Sequence, residues 1–139
     1  MRIRRFHPTD AEAVVALWVA CDLTRPWNDA HADIERKLAD SPELFLVGEE
    51  AEVVVGSVMA GYDGHRGWIN YLAVSPAAQG RGLGRALMAA AEDRLASLGC
   101  AKINLQVRDG NDAAGAFYIA IGYREEPIVS YGKRLIYDE

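Results

Sequence analysis

A chain of 139 residues is long enough to enclose one hydrophobic core without a disulfide or metal staple and short for two, so a single domain over residues 1–139 is expected. Half of the residues are hydrophobic and a quarter charged, and no apolar run reaches the ~18 residues of a membrane helix, so a soluble, cytoplasmic protein with no membrane partner is expected. The net charge of −5 has the wrong sign for a broad nucleic-acid surface, so no nucleic-acid partner is expected and any anionic ligand has to be held by a local site.

In chain order, RIRRF over residues 2–6 is extended in character, and Thr9-Asp-Ala-Glu12 matches a capping box that opens a helix. Val14, Leu17, Trp18 and Cys21 follow at helical spacing and give that helix one apolar face. Pro26, in the segment DLTRPWND, forbids simple continuation, and a second short helix is predicted over Ala30 to Leu38, before the Ser41-Pro42 break. The runs LFLVGE, EVVVGSVMAGY and WINYLAV are β-branched and aromatic, with DGHRG as the turn between the last two, and predict an antiparallel meander. A glycine turn then leads into a helix over Leu83 to Leu98 that Gly99 ends. KINLQVR reads as a strand, DAAGAFYIAI as a helix ended by Gly122, and VSYGKRL, residues 129–135, as a last strand. The order β-α-α-β-β-β-α-β-α-β predicts an α+β domain with a mixed, mostly antiparallel central sheet and about four helices.

Cys21 and Cys100 form no CxxC pair and read as reduced thiols, and His7, His31 and His65 are scattered without metal-ligand spacing, so no metal is expected. Neither cysteine stands beside an obvious base, which argues against a covalent acyl-enzyme route.

The stretch Gln79-Gly-Arg-Gly-Leu-Gly84 places three glycines in five positions immediately before a helix. Unpaired backbone N–H groups and the helix dipole make a strand-to-helix turn of this kind an anion site, and Arg81 and Arg85 add positive charge. A dinucleotide fingerprint fails, because Arg85 stands three residues after Gly82 and Leu87 three after Gly84; a P-loop fails for want of its lysine. What the stretch resembles is the acyl-coenzyme A motif Q/R-x-x-G-x-G/A of the GNAT N-acetyltransferase superfamily, carried by Gln79, Gly82 and Gly84. LAVSPAAQGRGLGRAL from Leu72 to Leu87, Asn111 with Phe117-Tyr118, Gly122-Tyr123 and the order of elements are similar to the same family. CDLTRPWND, GYDGHRG and SYGKRLIYDE look like those of its small bacterial members.

The resemblance implies the GNAT acyl-CoA N-acyltransferase fold, acetyl-CoA as cosubstrate and an amine acceptor as partner, with direct transfer in a ternary complex. It implies that the pyrophosphate lies on the amides of Gln79, Gly80, Arg81, Gly82, Leu83 and Gly84, with Arg85 near the entering helix. The pantetheine arm would pair along Leu72, Ala73 and Val74, and an N–H at Leu72 or Ala73 would bind the thioester oxyanion. Asn111 would cap its helix and touch the coenzyme, and Tyr118 would be the acid for the leaving thiolate.

The strand before the motif, Trp68-Ile-Asn-Tyr-Leu-Ala-Val74, lacks the glutamate that many family members carry as base. Asn70 and Tyr71 are read as a water relay to a base, with Asp29 and Asp63 as alternatives. The loop Arg25-Pro-Trp27-Asn28-Asp29 falls at the family's acceptor side, where Arg25 favours a carboxylate on the acceptor and Asp29 a cation; the sequence does not choose. A non-catalytic acyl-CoA sensor is the alternative function, and the family also allows a homodimer.

Overall fold

The structure is a computed structural model and describes residues 1–138. Its elements are β1 (Arg2–Arg5), α1 (Ala11–Ala20), α2 (Ala30–Asp40), β2 (Phe45–Glu50), β3 (Val53–Tyr62), β4 (Gly67–Val74), α3 (Leu83–Ser97), β5 (Ile103–Leu105) and α4 (Asp112–Ala120). The five strands form one sheet in the order β1-β2-β3-β4-β5. The first three junctions are antiparallel, as the meander predicts, whereas β5 runs parallel to β4 because α3 carries the chain back across the sheet.

Two apolar clusters cover the two faces. On one, Val14, Leu17 and Trp18 of α1 and Ile34 of α2 pack on Phe45, Val47 and Met59. On the other, Leu87, Met88, Ala91 and Leu95 of α3 pack on Leu46, Val58 and Ile69. Alternate residues along β2 and β3 therefore feed opposite cores, and both strands read as continuous apolar runs.

Three local expectations are corrected. The capping box forms earlier than Thr9-Glu12: His7 Nδ1 accepts from the Thr9 amide at 3.3 Å and Asp10 accepts from the His7 amide at 2.8 Å. Pro8 starts a 3-10 turn there, and Arg4 clamps Asp10 with two bonds of 2.8 and 2.9 Å, tying β1 to the turn. The strand expected at KINLQVR shortens to Ile103–Leu105, since β4 accompanies it for three residues only. The last expected strand, residues 129–135, is absent: Tyr131 is 94% and Leu135 86% exposed, and the segment joins no ladder. Side chains tether this tail instead, with Gln106 Nε2 donating to Ser130 Oγ at 2.6 Å and Arg36 gripping Asp138 at 2.6 and 3.0 Å. Alternating apolar residues confer strand propensity only where a neighbouring strand offers a pleated surface.

The feature that shapes the functional region lies in β4. Ser57 pairs with Ala73 and Met59 with Asn70, so Tyr71 and Leu72 together oppose the single residue Val58. Tyr71 takes up a left-handed φ of 52°, which costs a non-glycine residue ~1–3 kcal/mol, and the surroundings overdetermine it. Its ring stacks on Trp18 at 3.7 Å, and its carbonyl accepts from Ser57 Oγ at 2.8 Å, which in turn accepts from Trp18 Nε1 at 2.9 Å. Both Trp18 and Ser57 are wholly buried, so this short chain of bonds is shielded from water. Replacing Ser57 with Ala is expected to orphan both the indole N–H and the Tyr71 carbonyl and to destabilise the fold by ~1–3 kcal/mol in urea denaturation; an unchanged midpoint would show that the bulge does not depend on this chain.

Candidate active site

Beyond Ile69 and Leu105 the ladder between β4 and β5 stops, and the two chains part. The gap opens into a cleft of about 1200 Å³, walled by Leu72 on one side, by Gln106, Val107 and Arg108 on the other, and by Ala114 and Tyr118 of α4. The released half of β4 thus has an unpaired backbone edge inside a concavity, which accepts an extended, amide-bearing ligand as an added strand.

At the bulge, Asn70 and Tyr71 line this cleft, as do Ile69 and Leu72 on either side of them, which also pack into the α3 core. The Tyr71 phenol donates to Asp33 Oδ2 at 2.6 Å and accepts from Asn28 Nδ2 at 3.0 Å. Asn28 Nδ2 also reaches Asp33 Oδ2 at 2.5 Å, and Arg36 donates to Asp33 Oδ1 at 3.0 Å. Burial first, then the Asp33 carboxylate, pushes the Tyr71 phenol well above its ordinary value, so it stays protonated. A carboxylate therefore stands behind the strand that lacks one. Sequence reasoning missed Asp33 because it lies on α2, 38 positions before Tyr71. The proposed alternatives are occupied elsewhere: Asp63 accepts from the His65 and Arg66 amides and from Trp68 Nε1 in its own turn, and Asp29 caps α2 by accepting from the His31 and Ala32 amides.

The glycine turn sits where β4 hands over to α3. Gly80 and Gly82 have φ of 80° and 78°, and a Cβ at either would meet nothing within 4 Å, so glycine serves the backbone angle there and leaves the amides open. Gly84 serves packing: a Cβ would come within 3.3 Å of the Phe117 ring, where α3 crosses α4. Gln79 Nε2 donates to the Val74 carbonyl at 3.0 Å and ties the turn to the end of β4. Arg81 is corrected as a free cation, since it makes a two-pronged pair with Glu50 at 2.7 and 3.0 Å; Arg85 donates to the Ala120 carbonyl at 3.3 Å. The turn thus offers bare amides and a helix N-terminus, with its nearest guanidinium already neutralised.

Tyr118 comes from α4, whose first turn is capped by Asn111 Oδ1 accepting from the Ala114 amide at 3.2 Å. Its ring packs edge-on against Phe117 and Tyr123, and its phenol makes no hydrogen bond to any described residue. Burial raises its pKa, which keeps it a proton donor at neutral pH. Cys21 also lines the cleft, but burial raises its thiol, which donates to the Val74 carbonyl at 3.2 Å. It is a packed thiol without a base.

Residues 12–123 match the acetyltransferase (GNAT) family. The chain belongs to this family. It is 50% identical to an acetyltransferase of Yersinia enterocolitica over all of this chain and 99% of that protein. Among solved structures, Ard1 from Thermoplasma volcanium superposes with a TM-score of 0.78 at 31% identity, over 87% of this chain and 80% of that one. AAC(6')-Iy, solved in complex with a bisubstrate analogue that contains CoA, shares the fold with a TM-score of 0.77 at 22% identity, over 96% and 97% of the two chains. The α+β sheet with its splayed β4 and β5 is thus the GNAT fold, and the protein is by class an N-acetyltransferase.

On the side of this GNAT cleft that precedes α2, Arg25, Trp27 and Asn28 line the wall, whereas the Asp29 carboxylate does not reach it. Arg25 donates to the Asp22 and Thr24 carbonyls, and Trp27 carries the Arg108 guanidinium 5.9 Å above its ring. The tail closes this side: Arg134 Nη2 donates to Asn28 Oδ1 at 3.1 Å, and Asp138 accepts from Arg36 and from the Asp29 amide. Arg36 foremost, then the Asp29 amide, lower the Asp138 carboxyl to about 2. The pairing is therefore fully present above the unfolded value of about 3.9 and lost as pH falls from there through 2. Acid titration followed by thermal melting is expected to lose less stability in Asp138→Asn than in the parent over that window; equal losses would mean the tail is not held by this carboxylate.

Proposed function

We propose that this GNAT protein moves the acetyl group of acetyl-CoA directly to a primary amine, on a small molecule or a peptide, in a ternary complex within the cleft. The observation that carries the reading is one cleft lined at once by an unpaired edge of β4, by the bulge at Tyr71 and by the unpartnered phenol of Tyr118. The edge of β4 at Leu72 and Ala73 suits the amides of a pantetheine arm, the Val74 carbonyl being already bonded by Gln79 and Cys21, and the N–H groups beside the bulge suit a thioester carbonyl that becomes an oxyanion. The amides of Gln79 to Gly84 suit a pyrophosphate, with the α3 N-terminus and Arg85 behind them. Because Arg81 is held by Glu50, affinity at the turn rests on backbone donors.

The protons follow from the same residues. The attacking amine forms a C–N bond to the thioester carbon and gives up its proton through water beside Asn70 to the Tyr71 phenol, whose own proton points at Asp33. As the C–S bond breaks, Tyr118 supplies the proton of the departing thiolate, and solvent restores it. The raised phenol of Tyr71 conducts a proton without becoming an anion, and Asp33 is where it comes to rest. This removes the reason to favour a non-catalytic sensor, namely the missing carboxylate on β4.

Calorimetric titration with acetyl-CoA is expected to give micromolar affinity, about −8 kcal/mol, abolished in Gly80→Asp/Gly82→Asp. Added side chains at both positions enter open space, so the loss would report charge and backbone at the turn; no binding to the parent would leave the family fold without its cosubstrate. In thiol-release assays Tyr118→Phe is expected to lower kcat about 10²-fold with acetyl-CoA affinity unchanged. Full turnover in that variant would remove the acid role. Asp33→Asn is expected to lower kcat by a similar factor and to make the rate climb with pH along the titration of the free amine; an unchanged pH profile would mean the proton leaves by another path.

A further inference from the structure

Five cations, Arg25, Arg36, Lys37, Arg108 and Arg134, line the cleft together with the carboxylates of Asp22, Asp33, Asp40 and Asp109. Four of these cations are already used. Arg25 is bonded to two carbonyls and paired with Asp22, and Arg36 is shared by Asp33 and Asp138. Lys37 is buried against Ser41 and the Ala60 carbonyl, and Arg134 is bonded to Asn28 and the Ile136 carbonyl. The Arg108 guanidinium makes no hydrogen bond or ion pair to any described residue, and it lies 5.9 Å from the centre of the Trp27 ring. A cation–π contact uses none of the N–H donors of a guanidinium and leaves them free for a planar, two-oxygen anion. Asp109, beside it, is exposed and is oriented by no partner among the described residues.

One loop joins this free guanidinium to the Tyr71 phenol. Trp27, which lies near Arg108, is followed directly by Asn28, which bonds Tyr71 and Asp33, and both line the cleft. An anion on Arg108 and an amine beside Tyr71 would therefore meet neighbouring residues of one loop.

We propose that the acceptor is an amino carboxylate, whose carboxylate is bound two-pronged by Arg108 while its amine meets Tyr71 and Asn28. This rests on the amine-acetylation reading and selects among its acceptors, choosing the carboxylate-bearing class over cationic amines. The Asp29 carboxylate, which would have favoured a cation, is spent on the α2 cap.

The test separates acceptor binding from turnover. The protein saturated with CoA, which carries no acetyl group to transfer, is titrated calorimetrically with the standard amino acids, their primary amides and a simple diamine, and the titrations are repeated without CoA. At least one acid is expected to bind about tenfold or more tightly than its amide. In Arg108→Gln that difference is expected to shrink to within about twofold, with affinity for CoA and for the amide unchanged, because only the carboxylate contact is removed. Equal binding of every acid and amide pair, tighter binding of the diamine, or an Arg108→Gln variant that loses CoA instead would each overturn the proposal. Failure of CoA itself to bind would count against acetyl transfer, while the titrations without CoA would still decide whether Arg108 recognises a carboxylate.

Discussion

The constraint on which the site depends is the two-against-one bulge in β4, fixed by the buried run from the Trp18 indole through the Ser57 hydroxyl to the Tyr71 carbonyl. A regular strand would send Asn70 and Tyr71 to opposite faces. With the bulge, both line one cleft, and Tyr71 reaches Asp33 on a helix from the other end of the chain. The left-handed backbone at Tyr71 is strain that the ring stack on Trp18 and the phenol's two bonds hold in place, so the α1 core and the chemistry of the cleft are one mechanical unit.

The second determinant is that β4 and β5 pair for three residues and then separate. In a closed sheet the edge of β4 would be satisfied by its neighbour and unavailable. Here α3 and α4 prop the gap open: α3 starts from the end of β4, and Gly84 lets it pack against Phe117, which sits beside Tyr118 on α4. The glycines of the turn divide this labour. Gly80 and Gly82 shape the backbone and expose amides, whereas Gly84 makes room for a ring.

Charge is distributed with the same economy. Three arginines near the site are neutralised by named carboxylates, Arg81 by Glu50, Arg25 by Asp22 and Arg36 by Asp33 and Asp138. These pairs orient groups more than they stabilise the fold, because exposed ion pairs are worth little in water. What remains is selective: the Tyr118 phenol and the Arg108 guanidinium, each without a hydrogen-bond partner among the described residues, and a carboxylate already bonded behind Tyr71. The tail over residues 134–138 belongs to this arrangement, since Arg134 and Asp138 meet the loop that carries Trp27 and Asn28.

By itself the sequence determined what depends on near neighbours: the helix faces, the cap at Asn111, the antiparallel meander, and a glycine turn whose spacing identified the family and so the fold. These are legible because helical period, capping and turn conformation are set within a few residues. Only the tertiary structure decided where the bulge falls, since the alternation of Asn70-Tyr-Leu-Ala73 is compatible with a regular strand. Only it could set Asp33 against Tyr71, take Asp29 and Arg81 out of play, and leave residues 129–135 off the sheet. Each of those outcomes depends on partners tens of positions away competing for the same donor, acceptor or strand edge, and local propensity carries no record of which partner wins.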